Sequence, residues 1–177
     1  MFVLGHIGIG RRLAARRYAG FSRRDRWLFV LGTVLPDLTD KPLYYIPSWI
    51  TGKEGEALGM IAGTHSFGHT LLFLVTLLVT WRALQKRQPA RASGVGALAI
   101  GVATHLVLDT VGLTMDAPTA FWPFLGWQFT PFRHHGLGQH LMTVLRPVTL
   151  AGELIGGALL AWDLWRTRHP RPPHPSR

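Results

Sequence analysis

The sequence predicts an all-α fold, a multi-pass transmembrane helical bundle of about four spans, from three observations. First, 47% of the 177 residues are hydrophobic and only 16% are charged, which is rich for a water-soluble domain. Second, the apolar residues are segregated. Leu71 to Trp81 carries no charge, Val95 to Leu113 is interrupted only by His105 and Asp109, and Val148 to Trp165 only by Glu153 and Asp163. Such runs approach the roughly 20 residues that a membrane helix requires. Third, the basic residues behind the net charge of +10 gather at Arg11 to Arg26, Arg82 to Arg91 and Arg166 to Arg177. Each cluster adjoins an apolar run, which is the positive-inside pattern of a membrane protein rather than a nucleic-acid surface. No groove-reading motif accompanies them.

Taken in order, residues 1 to 19 read as a short helix, followed by a basic turn from Arg16 to Arg26. Trp27 to Leu35 forms a second apolar element that Pro36 ends or kinks. Residues 41 to 56 are rich in aromatics, Pro and Gly and suit an interfacial loop. A long helix is expected from Ala57 to Leu84, a polar basic loop from Gln85 to Ser93, and a helix from Gly94 to Leu113. Met115 to His140 is too broken by Pro and Gly for a span, so its aromatics indicate an interfacial loop. The last helix covers Leu145 to Arg166. Residues 1–166 thus form one domain, and 167–177 a basic, solvated cytoplasmic tail. The glycines of GHIGIG (5–10) and GELIGG (152–157) lack the strand and Lys-Ser/Thr of a phosphate loop and read as close helix packing. The basic cluster follows the apolar start instead of preceding it, unlike a cleavable signal peptide. The absence of cysteine excludes disulfides and thiolate chemistry.

The unusual residues are ionisable groups inside apolar stretches, costly enough to mark a functional site. They are Asp37 and Asp40, His65 and His69, and His105 and Asp109. The last two pairs are each four apart, which on a helix stacks them on one face with metal-ligand geometry. At a rise of about 1.5 Å per residue, His6 and Asp37 sit about 15 to 17 Å from the basic belt, and His69, His105 and Glu153 about 20 Å. The groups converge in the outer half of the membrane. Their mixture of imidazole and carboxylate fits a divalent cation, zinc first, as one or two ions, with manganese or magnesium as alternatives. The expected ligands are His6, His65, His69, His105, Asp109 and Asp37, with Asp37, Asp40 and His6 also read as groups standing behind the ligands. Asp37, Asp40, His134 and His135 are the catalytic candidates, with Arg133 beside them to attract a phosphate. Taken singly, each has a plainer role. A membrane His commonly bonds a neighbouring helix, Asp37 or Asp40 can cap a helix, and Glu153 can serve packing or proton relay.

An early His6, Leu35-Pro36-Asp37 with Asp40, Thr64-His65-Ser66, His105 through Asp109, and Trp122-Pro123-Phe124 occur in the order of a known pattern. Over residues 1 to 130 the chain resembles the YdjM-like family of bacterial inner-membrane proteins, described as metal-dependent hydrolases. The family is distantly similar to zinc-dependent phospholipases C and P1-type nucleases, which implies a phosphoester substrate. One departure stands out. Such proteins commonly carry His, Arg and Gly shortly before T-H-S, whereas this chain has Ile61-Ala62-Gly63 there and a second His at 69. The resulting expectation is a membrane-embedded hydrolase in the bacterial inner membrane. Its partners would be the bilayer and a lipid-like ester or phosphoester, with no nucleic acid. The alternatives are a metal or proton carrier, or a structural membrane protein.

Overall fold

The computed structural model describes residues 3–17, 20–112, 114–131, 138 and 142–169. It is helical, with no strand among the described residues. The long helices are α1 (Val3–Arg17), α2 (Arg23–Gly32), α3 (Leu35–Thr51), α4 (Leu71–Leu84), α5 (Pro89–Val111) and, after the four-residue α6 (Ala117–Ala120), α7 (Pro147–Arg168).

The helices assemble through glycines that let backbones touch. A Cβ on Gly101 of α5 would lie 2.2 Å from the Phe29 carbonyl oxygen, and one on Gly32 of α2 2.4 Å from that of Leu98. Asp25 also pairs with Ser93 and Thr33 with His105, so α2 and α5 run side by side in the same direction. Likewise α1 and α7 run parallel: a Cβ on Gly8 would stand 2.1 Å from the Gly156 carbonyl oxygen, and Arg12 reaches Asp163. Small residues at helix crossings are the ordinary solution where lipid removes the hydrophobic drive between helices. Helix α4 returns antiparallel to α5, its Trp81 ring lying over Gly96. Ala14, Phe29 and Ala97 form an apolar knot joining α1, α2 and α5. The described residues of every basic cluster consequently lie at one end of these helices, and His6, Thr33, His69 and Asp109 at the other.

Several boundaries differ from the sequence reading, each for a local reason. Ser22 caps α2 by accepting the Asp25 N–H at 3.1 Å, so that helix starts inside the expected basic turn. The expected loop at 41–56 is largely helix α3. Pro36 occupies its tolerated first turn, the chain continues through Pro42 and Pro47, and Gly52 ends it in the left-handed region. The expected helix at 57–84 is instead two 3-10 turns, Gly55–Ile61 and Phe67–His69, followed by α4. Gly59 has φ 62° and ψ −125°, which an α-helix does not accommodate. Thr70 then caps α4 by accepting the Phe73 N–H. Among the described residues, α5 and α7 are long and apolar enough to cross a membrane, while α4 is apolar but has only 14 residues. Two such helices are fewer than the four spans expected.

Glu153 also has an assignable place. Its carboxylate accepts the Leu4 and Gly5 N–H groups at 3.0 and 2.9 Å. A side chain of α7 thereby satisfies the open first turn of α1 and complements its positive end. It is turned to that helix end, and tethers the turn that carries His6.

Candidate metal centre

Four elements deliver the polar side chains. His6 comes from α1, Asp37 and Asp40 from the first turns of α3, and His65 and His69 from the bend and second 3-10 turn that precede α4. His105 and Asp109 lie one turn apart on α5. Asp109 is the hub. Its Oδ1 is 3.2 Å from His6 Nε2, and its Oδ2 is 3.4 Å from His105 Nε2, 3.5 Å from His69 Nε2 and 3.7 Å from His65 Nε2. Asp37 Oδ1 stands 3.6 Å from His69 Nε2. The rings of His6 and His105 stack at 4.1 Å. His6, His69, His105, Asp37, Asp40 and Asp109 are buried, whereas the His65 side chain is 24% exposed and opens the cluster to the outside.

The outer contacts fix which nitrogen faces inward. His105 Nδ1 lies 2.8 Å from the Thr33 carbonyl oxygen, which can only accept, so Nδ1 carries the proton and Nε2 points inward. His69 Nδ1 lies 2.8 Å from Asp40 Oδ2, with the same result. Asp40 also accepts the Ser66 and Gly68 N–H groups at 2.7 and 2.9 Å. Its oxygens are therefore committed to holding the Thr64-His65-Ser66 segment and orienting His69. Named both as a catalytic candidate and as a group behind the ligands, Asp40 sits behind His69, as carboxylates behind metal-binding histidines do.

His69 Nε2 and His105 Nε2 face each other at 3.0 Å. Two neutral imidazoles so arranged would oppose lone pairs, and only a proton or a cation between them makes the approach favourable. Burial works against charge on His69, yet hydrogen bonds to Asp109 and Asp40 raise its pKa to about 9, so the metal-free site retains a proton there. Desolvation and the charge on His69 push His65 the other way, to about 3, leaving it a neutral donor. Burial likewise opposes the charge of Asp37, but Lys41, His105 and His69 together outweigh it and lower the pKa.

The donor set fits a metal. Two ligands about 2.1 Å from a common ion at tetrahedral or octahedral angles are about 3.0 to 3.4 Å apart, close to the separations above. His6, His105 and Asp109, then Asp37, His69 and His105, then His65, His69 and Asp109 each bring ligand atoms within 4.8 Å of one another. These groups share His69, His105 and Asp109, so the arrangement could hold one ion or a close pair.

All six expected ligands meet here, although the spacing argument is correct for only one pair. His105 and Asp109 do occupy adjacent turns of α5, whereas His65 and His69 meet through a bend and a 3-10 turn. His134 and His135, like Arg133, lie outside the described residues. Two participants escape the sequence reading. Lys41 holds Asp37 Oδ2 at 2.7 Å, which the i,i+4 spacing could have signalled. Thr33 acts through its carbonyl oxygen, which every residue possesses and no pattern reveals.

Phe67, between the two histidines, packs edge-on against Trp122 and Phe129 with centroids 5.5 and 5.0 Å away. Beyond them Phe124 and Trp127 are well exposed, so an aromatic loop adjoins the cluster. A family model described as YdjM inner membrane protein matches residues 1–168. No curated protein and no solved structure matches the chain.

Proposed function

The chain belongs to the YdjM inner membrane protein family, and from that premise we propose that it is a membrane-embedded, metal-dependent hydrolase of a lipid-like ester or phosphoester. The observation that carries the reading is the 3.0 Å approach of two inward-facing imidazole nitrogens beside the Asp109 carboxylate. His65, His69, His105 and Asp109 would hold the ion, zinc first, and His6 would contribute through Asp109 Oδ1. A divalent ion held there supplies Lewis acidity, lowering the pKa of water and polarising a phosphoryl or carbonyl oxygen.

The chain's own groups divide the remaining work. Asp40 and the Thr33 carbonyl keep the two Nε2 atoms aimed inward. Asp37, tied through Oδ2 to Lys41, serves as the base that takes the proton of the attacking water. Asp37 then gives that proton to the leaving alcohol as its bond to the acyl or phosphoryl centre breaks. His65 lines the entrance. The exposed aromatics beyond Phe67 favour a substrate with an apolar part, since such side chains hold amphiphiles at the membrane interface. A carrier would need polar access from both ends, but Ala14, Phe29 and Ala97 close the bundle between the cluster and the basic end.

The experiment is a turnover assay of purified full-length protein and His105→Ala against a panel of short-chain lipid esters and phosphoesters, with zinc and with chelator. Hydrolysis that chelator stops and that His105→Ala lowers by about 100-fold or more is expected, since ligand loss should exceed the effect of an outer-shell change. Equal turnover by both proteins would defeat the proposal.

A further inference from the structure

At the far end of α2 from the metal centre, α1 and α2 enclose a cavity of about 220 Å³ lined by Arg11, Arg23 and Arg26 together with Ala14, Trp27 and Val30. Thr33, whose carbonyl holds His105, is ten residues from Arg23, or about 15 Å along a helix. The two places are separate. We propose that this cavity is a binding site for the headgroup of an anionic phospholipid, its phosphodiester held by the three guanidinium groups.

Charge complementarity carries the assignment. Residues 11 to 26 hold seven arginines and one aspartate, and that aspartate is unavailable to the cavity: Asp25 is buried and accepts the Ser93 hydroxyl at 2.8 Å. Arg11 shares Asp163 with Arg12, each at a long 3.5 Å. Among the described residues, neither Arg23 nor Arg26 has a carboxylate partner. Guanidinium forks bind phosphate oxygens bidentately, and basic pockets on the cytoplasmic side of membrane helices suit anionic headgroups.

The rest of the lining favours a lipid over a free anion. Trp27 is 62% exposed at the cavity and offers an apolar ring with a polar N–H, the combination that settles at a membrane interface. The volume is below the roughly 300 to 1,000 Å³ that encloses a whole drug-sized ligand. It suits a headgroup and glycerol end, with the acyl chains leaving along Trp27 and Val30.

The test titrates full-length protein in detergent with dioctanoyl phosphatidylglycerol, dioctanoyl phosphatidylcholine and inorganic phosphate, reading affinity by calorimetry. Saturable binding of the glycerol lipid is expected, with an Arg23→Gln/Arg26→Gln double variant weaker by about tenfold or more because two charge-assisted contacts are lost. Both side chains are exposed, so the variant should fold. An Arg82→Gln/Arg91→Gln variant, which removes the same charge elsewhere in the basic belt, should bind within about twofold of wild type, as expected for solvated charges. Unchanged affinity in the first variant or an equal loss in the second would overturn the site. Phosphatidylcholine binding as tightly would overturn the anionic class, and phosphate binding as tightly would replace the lipid with a free anion. Removing the metal should leave all of these results unchanged, so failure here and failure of the hydrolase reading are distinguishable.

Discussion

Replacing Asp109 with Asn should weaken zinc binding by more than about 100-fold, beyond the 10–100-fold typical when only an outer-shell partner is lost. Asn nearly preserves the shape, so the change isolates charge. One oxygen of Asp109 faces His65, His69 and His105, and the other faces His6. Its two oxygens thus reach four of the other proposed ligands. Asp40→Asn is the matched comparison. It leaves every proposed ligand in place but weakens the hold on His69 Nδ1, so its loss should stay within about 10- to 100-fold. Zinc affinity measured by competition against a chromophoric chelator separates the two, and equal effects would mean that Asp109 is not the hub.

The second large effect is expected from packing. Gly101→Val should destabilise the protein by about 3 kcal/mol or more, at or above the upper range for overpacking, because the new Cβ meets the Phe29 carbonyl oxygen at 2.2 Å and the Gly32 Cα at 2.9 Å. Both are backbone atoms of α2, so no rotamer change relieves the clash and the helices must part. Parting them also withdraws the Thr33 carbonyl from His105, so zinc affinity should fall together with stability. Gly94→Ala is the milder comparison on the same helix. Its Cβ meets the end of Leu28 at 2.9 Å, a flexible side chain that can move. Thermal unfolding in detergent should show Gly101→Val far below wild type and Gly94→Ala close to it. Similar losses would contradict this account of the α2–α5 contact.

Much of the arrangement is written in distances along the chain. Helical rise, counted from each basic cluster, puts His6, Asp37, His69 and His105 at similar depth, and the structure gathers these side chains at the end of the bundle opposite the arginines. What that count cannot see is direction reversed by single residues. Positive φ at Gly59 divides what hydropathy reads as one helix, and α3 continues through Pro42 and Pro47. The partners of Asp40 and Glu153 are illegible for a different reason. A carboxylate in an apolar run advertises that something compensates it. Whether that is a metal, a histidine Nδ1–H as for Asp40, or the first turn of another helix as for Glu153 depends on contacts 29 and 149 residues away in sequence. Downstream of the departure at Ile61-Ala62-Gly63, both His65 and His69 reach Asp109.

The most direct test of the central claim is elemental analysis of full-length protein purified in detergent without added metal, paired with thermal unfolding before and after chelation. One or two equivalents of a divalent metal, zinc first, are expected, with a lower unfolding temperature once chelator removes it, because a ligand bound only by the native state stabilises that state. Protein free of divalent metal, with unchanged stability in chelator and on zinc addition, would contradict it and leave His69, His105 and Asp109 as a proton-holding structural cluster.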